Sequence, residues 1–168
     1  MNHRDEFENI RALVRDAQPD DAQARVVRYL YENFPDYDWV GIYRLEGDTL
    51  VLGPWQGAAA TGHIRIKTGE GICGACAVSC RTELVPDVAA DRRYLACFSE
   101  TRSEVVVPIL VRGRFWGEID IDSSTRNAFG PADVRLLEAT ARLIAETLQA
   151  GPAGEPAGQP GPGTQPRS

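Results

Sequence analysis

Residues 94–123 read YLACFSETRSEVVVPILVRGRFWGEIDIDS, and this stretch decides the fold because it holds two complementary strands and the turn between them. Val105, Val106, Val107, Ile109, Leu110 and Val111 form an apolar, mostly β-branched run, Arg112-Gly113-Arg114 supplies a turn, and residues 115–122 return. Side chains alternate along a strand, so Ile119 and Ile121 point to one face while Glu118, Asp120 and Asp122 point to the other. With a three-residue loop, position 111 pairs with 115 and Glu104 falls opposite Asp122. Like charges opposed on a sheet destabilise it, so this acidic row is either a solvated face or a site whose carboxyl pKa values are raised. Cys97 favours the site. It lies just upstream of the hairpin among polar residues, where a thiol sits more readily at a cleft than in a core.

The chain is long enough for one domain with a full core: 168 residues, 43% hydrophobic and 25% charged. Eighteen Lys and Arg against 24 Asp and Glu leave a net charge of -6 without basic blocks, which argues against nucleic acid or an anionic membrane as partner. The opening residues MNHRDEFENI are charged, with no apolar core for export, and no run is long enough to span a bilayer, so a cytoplasmic protein is expected. In that setting the four cysteines read as thiols, catalytic or structural, rather than as a disulfide framework.

Outward from the hairpin, helical spacing of Phe7, Ile10 and Val14, and of Val27, Leu30 and Phe34 after an Asp20/Asp21 start, predicts two amphipathic helices. Residues 39–45 (WVGIYRL) and 49–52 predict a second hairpin about Glu46-Gly47-Asp48, with Trp39, Gly41 and Tyr43 on one face, and residues 53–62 read as a loop. A short strand around Ile64 and Ile66 leads through Gly69 and Gly71 to a helix over residues 72–80 (ICGACAVSC) that places Cys73, Cys76 and Cys80 on one side. No fourth ligand stands at a strong zinc spacing, so no metal is expected. Cys76 and Cys80 read as small apolar packing against the sheet, and Cys73, at the helix start, sits where amide dipoles favour a thiolate. An edge strand over residues 83–85 and a polar connection precede Cys97. Beyond the central hairpin, Phe129-Gly130-Pro131 opens a final helix with Leu137, Ala141, Ile144 and Leu148 in one stripe. Residues 151–168, GPAGEPAGQPGPGTQPRS, predict a disordered Pro/Gly-rich tail. Hairpins with helices at both ends give an α+β class.

Trp39-x-Gly41-x-Tyr43, Leu52-Gly53-Pro54-Trp55-Gln56-Gly57, Gly69-x-Gly71-x-Cys73-Gly74, Ala96-Cys97, Ser103-Glu104-x-Val106-Val107-Pro108 and Asp120-Ile121-Asp122-Ser123 together resemble the GAF domains, of the free methionine-(R)-sulfoxide reductase type, over about residues 6–148. The resemblance implies a GAF domain over residues 1–150, with a six-stranded antiparallel sheet flanked by helices on both faces. It implies reduction of free L-methionine (R)-sulfoxide, with thioredoxin as the dithiol partner, no cofactor, and a homodimer left open. Cys97 is then the catalytic cysteine, Glu104, Asp120 and Asp122 bind the sulfoxide, and Trp39 and Tyr43 stand close to it. The position of the family's usual resolving cysteine, ten before Cys73, is His63 here, so resolution either moves to the helix, with Cys73 the first candidate and Cys76 the second, or falls to thioredoxin acting directly on the sulfenic acid. Phe98 and Tyr94 stand where the family has Asp and His. The rival reading is a non-catalytic GAF module that binds a small molecule or senses redox state.

Overall fold

A computed structural model describes residues 3–150; the tail expected over residues 151–168 lies outside the described residues. The elements run α1 (His3–Val14), α2 (Pro19–Asn33), β1 (Trp39–Glu46), β2 (Thr49–Gly57), β3 (Arg65–Lys67), α3 (Gly71–Ser79), β4 (Glu83–Val85), β5 (Ser103–Val111), β6 (Arg114–Ser123) and α4 (Pro131–Ala150). The strands form one antiparallel sheet in the order β3-β2-β1-β6-β5-β4. Both edges are three-residue strands, which leaves little unpaired backbone to template association.

The sheet divides its residues cleanly. Val40, Ile42, Val105, Val107, Ile109, Ile119 and Ile121 face the stripes of α1, α2 and α4 and form the larger core with Ile10, Leu30, Leu137 and Ile144. Pro19 opens α2 at a position that has no intrahelical N–H bond to lose, and Asp20 and Asp21 oppose its dipole. The opposite face carries Trp39, Tyr43 and Val106 and is covered by α3, through Ile72, Cys73 and Cys76, and by Leu50, Ile66, Val85 and Val88. Glycine brings α3 close: a Cβ on Gly74 would stand 2.7 Å from Lys67 O and 2.8 Å from Gly69 N.

Three local readings differ from the sequence expectation. The β5–β6 turn has two residues, Arg112 and Gly113, with φ of 52° and 75°, and Val111 pairs with Arg114 rather than with 115. Two consecutive positive φ values make the tight turn whose twist suits a hairpin. Leu110 pairs with Phe115 but Ile109 with Gly117, so Trp116 is a bulged extra residue that restores the count and sets Glu104 opposite Asp122 after all. Second, β2 continues to Gly57 instead of ending at Leu52. Gly53 and Pro54 together oppose Ile42 in a bulge, which spares the proline from the ladder. Third, Cys80 is not packed on the sheet. It caps α3 in a left-handed conformation, φ 54° and ψ 33°, and is exposed.

Gly117 tests the β1–β6 seam on which the acidic row is mounted. A Cβ there would lie 2.2 Å from the Tyr43 carbonyl oxygen, which is backbone and cannot yield as a side chain tip can. Gly117→Ala should therefore destabilise the fold by roughly 1–3 kcal/mol, seen as a lower midpoint in urea unfolding; an unchanged midpoint would show that the seam tolerates separation.

Candidate active site

Register alone assembles the site. Across β1 and β6, Trp39 is opposite Asp122, Gly41 opposite Asp120 and Tyr43 opposite Glu118. Across β5 and β6, Glu104 is opposite Asp122 and Val106 opposite Asp120. Four acids, Glu104, Glu118, Asp120 and Asp122, therefore share the face beneath α3, and each is at most 6% exposed. The row is not a solvated one. Among the described residues, Glu118 Oε1 and Oε2, Asp120 Oδ1 and Asp122 Oδ1 have no geometrically defined hydrogen-bond partner.

Among the described residues no ion pair reaches these acids, so burial raises all four, and their mutual repulsion raises Glu104, Glu118 and Asp122 further. Asp120 is pushed up by burial to about 7, with the Cys73 thiol opposing the shift through a hydrogen bond. The face is thus largely a set of neutral carboxylic acids at neutral pH, able to donate protons.

Cys97 lies on the loop between β4 and β5 and is half-buried. Burial, then Asp120, Asp122 and Glu104, push its thiol up, while a hydrogen bond with Thr61 acts against the rise. It shares a cavity of about 430 Å³ with Trp39, Phe98, Thr101, Asp122 and Ser123, a volume suited to an amino-acid-sized ligand. A groove of about 510 Å³ between α1 and the end of α4 holds no thiol.

Trp39 forms the aromatic wall. Its ring stacks on Trp55 at 6.4 Å and meets Phe98 at 6.0 Å and Tyr43 at 6.5 Å. It lies over Gly41 and Gly57, where an added Cβ would stand 2.2 Å and 2.3 Å from the ring. The indole Nε1 is buried without a partner. Tyr43 is fully buried, and its hydroxyl donates to the His63 carbonyl at 2.8 Å, so its donor is already engaged. The His63 ring meets Ala96 O at 3.2 Å and ties its own loop to the one bearing Cys97.

Cys73 departs from the sequence expectation. It is the third residue of α3, but it is buried, and burial together with Asp120, Glu118 and Glu104 pushes its thiol well up. Three nearby acids and loss of water outweigh a partial helix charge, so Cys73 is a protonated thiol and not a dipole-activated thiolate. Its sulfur lies within 4.8 Å of a carboxylate oxygen of Glu104 and of Asp120. A thiol and two carboxylates this close could hold a cation, where spacing along the sequence pointed to none. Glu118 was legible as part of the acidic face but not as a site residue; it is wholly buried and faces the thiols of Cys73 and Cys76.

A raised carboxyl makes stability depend on pH. Asp120 holds its proton more tightly folded than unfolded, so its contribution is complete below about 3.8 and is lost as pH rises to about 7. The other three acids extend the loss upward. The melting temperature should fall between about pH 5 and about pH 8, and Asp120→Asn should lose several degrees less. A wild-type melting temperature that rises over this range would mean the acids are ionised in the folded chain.

The chain matches the GAF domain family over residues 18–148. It is 39% identical over 104 residues to the free methionine-R-sulfoxide reductase of Escherichia coli strain K12, a match covering 62% of each protein. It is 42% identical over 113 residues to that of Saccharomyces cerevisiae, covering 65% of this chain and 62% of the yeast protein. The matched segments thus span about three fifths of these two curated relatives. The structure of the free methionine-R-sulfoxide reductase from Neisseria meningitidis, in complex with its substrate, is similar with a TM-score of 0.83 at 34% identity, covering 88% of this chain and 89% of that one. With the fold, the sheet order and these likenesses in agreement, the chain belongs to the GAF domain family, in its free methionine-R-sulfoxide reductase branch.

Proposed function

We propose that this chain reduces free L-methionine (R)-sulfoxide to L-methionine. The observation that carries the reading is a half-buried thiol, Cys97, at the mouth of a row of buried, proton-bearing acids. A sulfoxide is neutral, and its oxygen is a strong hydrogen-bond acceptor, so a face of neutral acids suits it where a row of carboxylates would repel it. The relatives named above carry the same activity in their names.

In this reading Glu104, Asp120 and Asp122 bind the sulfoxide oxygen and Trp39 walls the methyl thioether end, with Tyr43 bracing the wall through His63. Cys97 Sγ attacks the sulfoxide sulfur as an acid protonates the oxygen. Two electrons pass to the sulfoxide sulfur, the S–O bond breaks, methionine leaves, and Cys97 becomes a sulfenic acid carrying the oxygen. The thiol proton replaces the one the acid gave, so the acids end as they began. Cys73 then condenses with the sulfenic acid: it gives its thiol proton to the acid row as its Sγ bonds to Cys97 Sγ, and the hydroxyl takes a proton from the same row and departs as water, so the row again ends as it began. Asp120 and Glu104 act on both Cys73 and Cys97, so the same acids can serve both sulfurs. A dithiol protein of the thioredoxin kind opens the disulfide by exchange at Cys97, the more accessible sulfur. This chemistry suits a reducing compartment such as the cytoplasm, and no helix among the described residues is long and apolar enough to cross a membrane.

The test is methionine formation from each free sulfoxide diastereomer with a dithiol reductant. Turnover of the R form alone is expected; tight binding without product would instead favour the non-catalytic sensor. Cys97→Ser should abolish product, and Glu104→Gln, Asp120→Asn and Asp122→Asn should each slow it, by on the order of 10²–10⁴-fold where a proton transfer is lost. Rates unchanged in all three would remove the acids from the chemistry. Cys73→Ser should complete one turnover and then stall in recycling, with Cys97 trapped as sulfenic acid; sustained wild-type turnover in that variant would exclude Cys73 as the resolving thiol.

A further inference from the structure

Helix α3 carries two buried thiols. Cys73-Gly74-Ala75-Cys76 sets them three residues apart in its first turns, on one side of the helix. Cys76 is fully buried, and its sulfur lies 4.0 Å from the Val106 carbonyl oxygen. Both thiols face Glu118 and bond weakly to it through sulfur, and no nitrogen or oxygen donor among the described residues serves either of its oxygens. A carboxyl group in that position is costly, and neither the attack by Cys97 nor the binding of a sulfoxide uses it. Its place on β6, opposite Tyr43 and Pro108, puts it one alternation deeper than Asp120.

We propose that Cys76 is a further redox residue of this chain: it attacks the Cys73 sulfur of the Cys73–Cys97 disulfide and returns Cys97 as a thiol, leaving a Cys73–Cys76 disulfide, with Glu118 as the proton carrier. The proposal rests on the reductase reading above. The exchange is redox-neutral. The Cys76 Sγ–Cys73 Sγ bond forms as the Cys73 Sγ–Cys97 Sγ bond breaks, and the oxidation state left by the sulfoxide moves from the Cys73/Cys97 pair to the Cys73/Cys76 pair. Cys76 gives up its proton to the carbonyl oxygen of Glu118 while the acid hydroxyl of Glu118 passes its own toward Asp120, which faces Cys97. A neutral carboxylic acid can accept on one oxygen and donate from the other. An external dithiol then reduces the Cys73–Cys76 disulfide by way of Cys97.

The geometry suits the exchange. Residues three apart on a helix have Cα atoms about 5 Å apart, inside the disulfide range of roughly 4.4–6.8 Å. Their Cβ atoms, at about 5–6 Å, must close to about 4 Å, and this falls across the first two turns of α3, which Gly71 at φ 69° opens. Cys80, on the exposed cap, is not needed.

Electron counting separates the outcomes. The chain is fully reduced, freed of reductant, held at low micromolar concentration to suppress exchange between molecules, and given excess free methionine (R)-sulfoxide. After quenching and alkylation, methionine is counted and cysteine peptides are mapped. Wild type should form about two methionines per chain, ending with Cys73–Cys76 joined and Cys97 as a sulfenic acid trapped by dimedone. Cys76→Ala and Cys76→Ser should form about one, ending as Cys73–Cys97, while Cys80→Ser should keep two. About one methionine from wild type with Cys73–Cys97 joined overturns the exchange and leaves the reductase reading standing. About one with Cys97 as sulfenic acid removes the Cys73 step and the exchange with it. A disulfide involving Cys80 in wild type assigns the second stage to the wrong thiol, and no methionine at all overturns the reductase reading itself.

Discussion

Four carboxyl groups mounted on the middle of a sheet and closed off from water are the constraint around which this molecule is arranged. The alternation of Glu118, Asp120 and Asp122 along β6, with Glu104 opposite, commits one sheet face to acid. A face of that kind is stable only if its members keep their protons. Helix α3 supplies the cover, and the thiols it brings, Cys73 and Cys76, lie against the acids without adding charge. Proton-donating ability and enclosure are therefore one property: opening the face to water would let the acids ionise and lose the function that burial gives them.

The two faces of the sheet divide the work. Three helices, α1, α2 and α4, pack against Val40, Ile42, Ile119 and Ile121 and hold an apolar core that is indifferent to pH. The single short helix α3 and the loop of Cys97 cover the other face. Stability from the first face underwrites the unfavourable burial on the second, which is how active sites commonly carry strain that the rest of the fold absorbs.

Much of this was legible in residues 94–123. Period-two alternation in Gly117-Glu118-Ile119-Asp120-Ile121-Asp122 separates core from site because a strand has no other way to present those side chains. The Glu104–Asp122 pairing was reached with the wrong turn: a two-residue loop and a bulge at Trp116 sum to the same register as a three-residue loop, and sequence does not distinguish them when Arg112 takes a left-handed conformation. The length of β2 was hidden by Gly53-Pro54, which reads as a break and is in fact a bulge. Cys73 was misjudged for a different reason. Helix position is visible in a sequence, but the acids that β6 brings against it are not, and their effect is larger. Cys80 follows the same logic, since one residue past a helix end the side chain no longer keeps the helical phase.

The seat of Trp39 has a consequence for how such a pocket can change. Its indole occupies the space that side chains at 41 and 57 would fill, so the three positions, on two strands, form a single steric unit. A smaller residue at 39 frees both glycines to acquire side chains, and a side chain at either expels the indole. The shape of the ligand chamber can therefore move between two discrete arrangements through coordinated substitution, with Gly41 and Gly57 covarying with the size of residue 39, and single replacements along that route pass through a poorly packed intermediate.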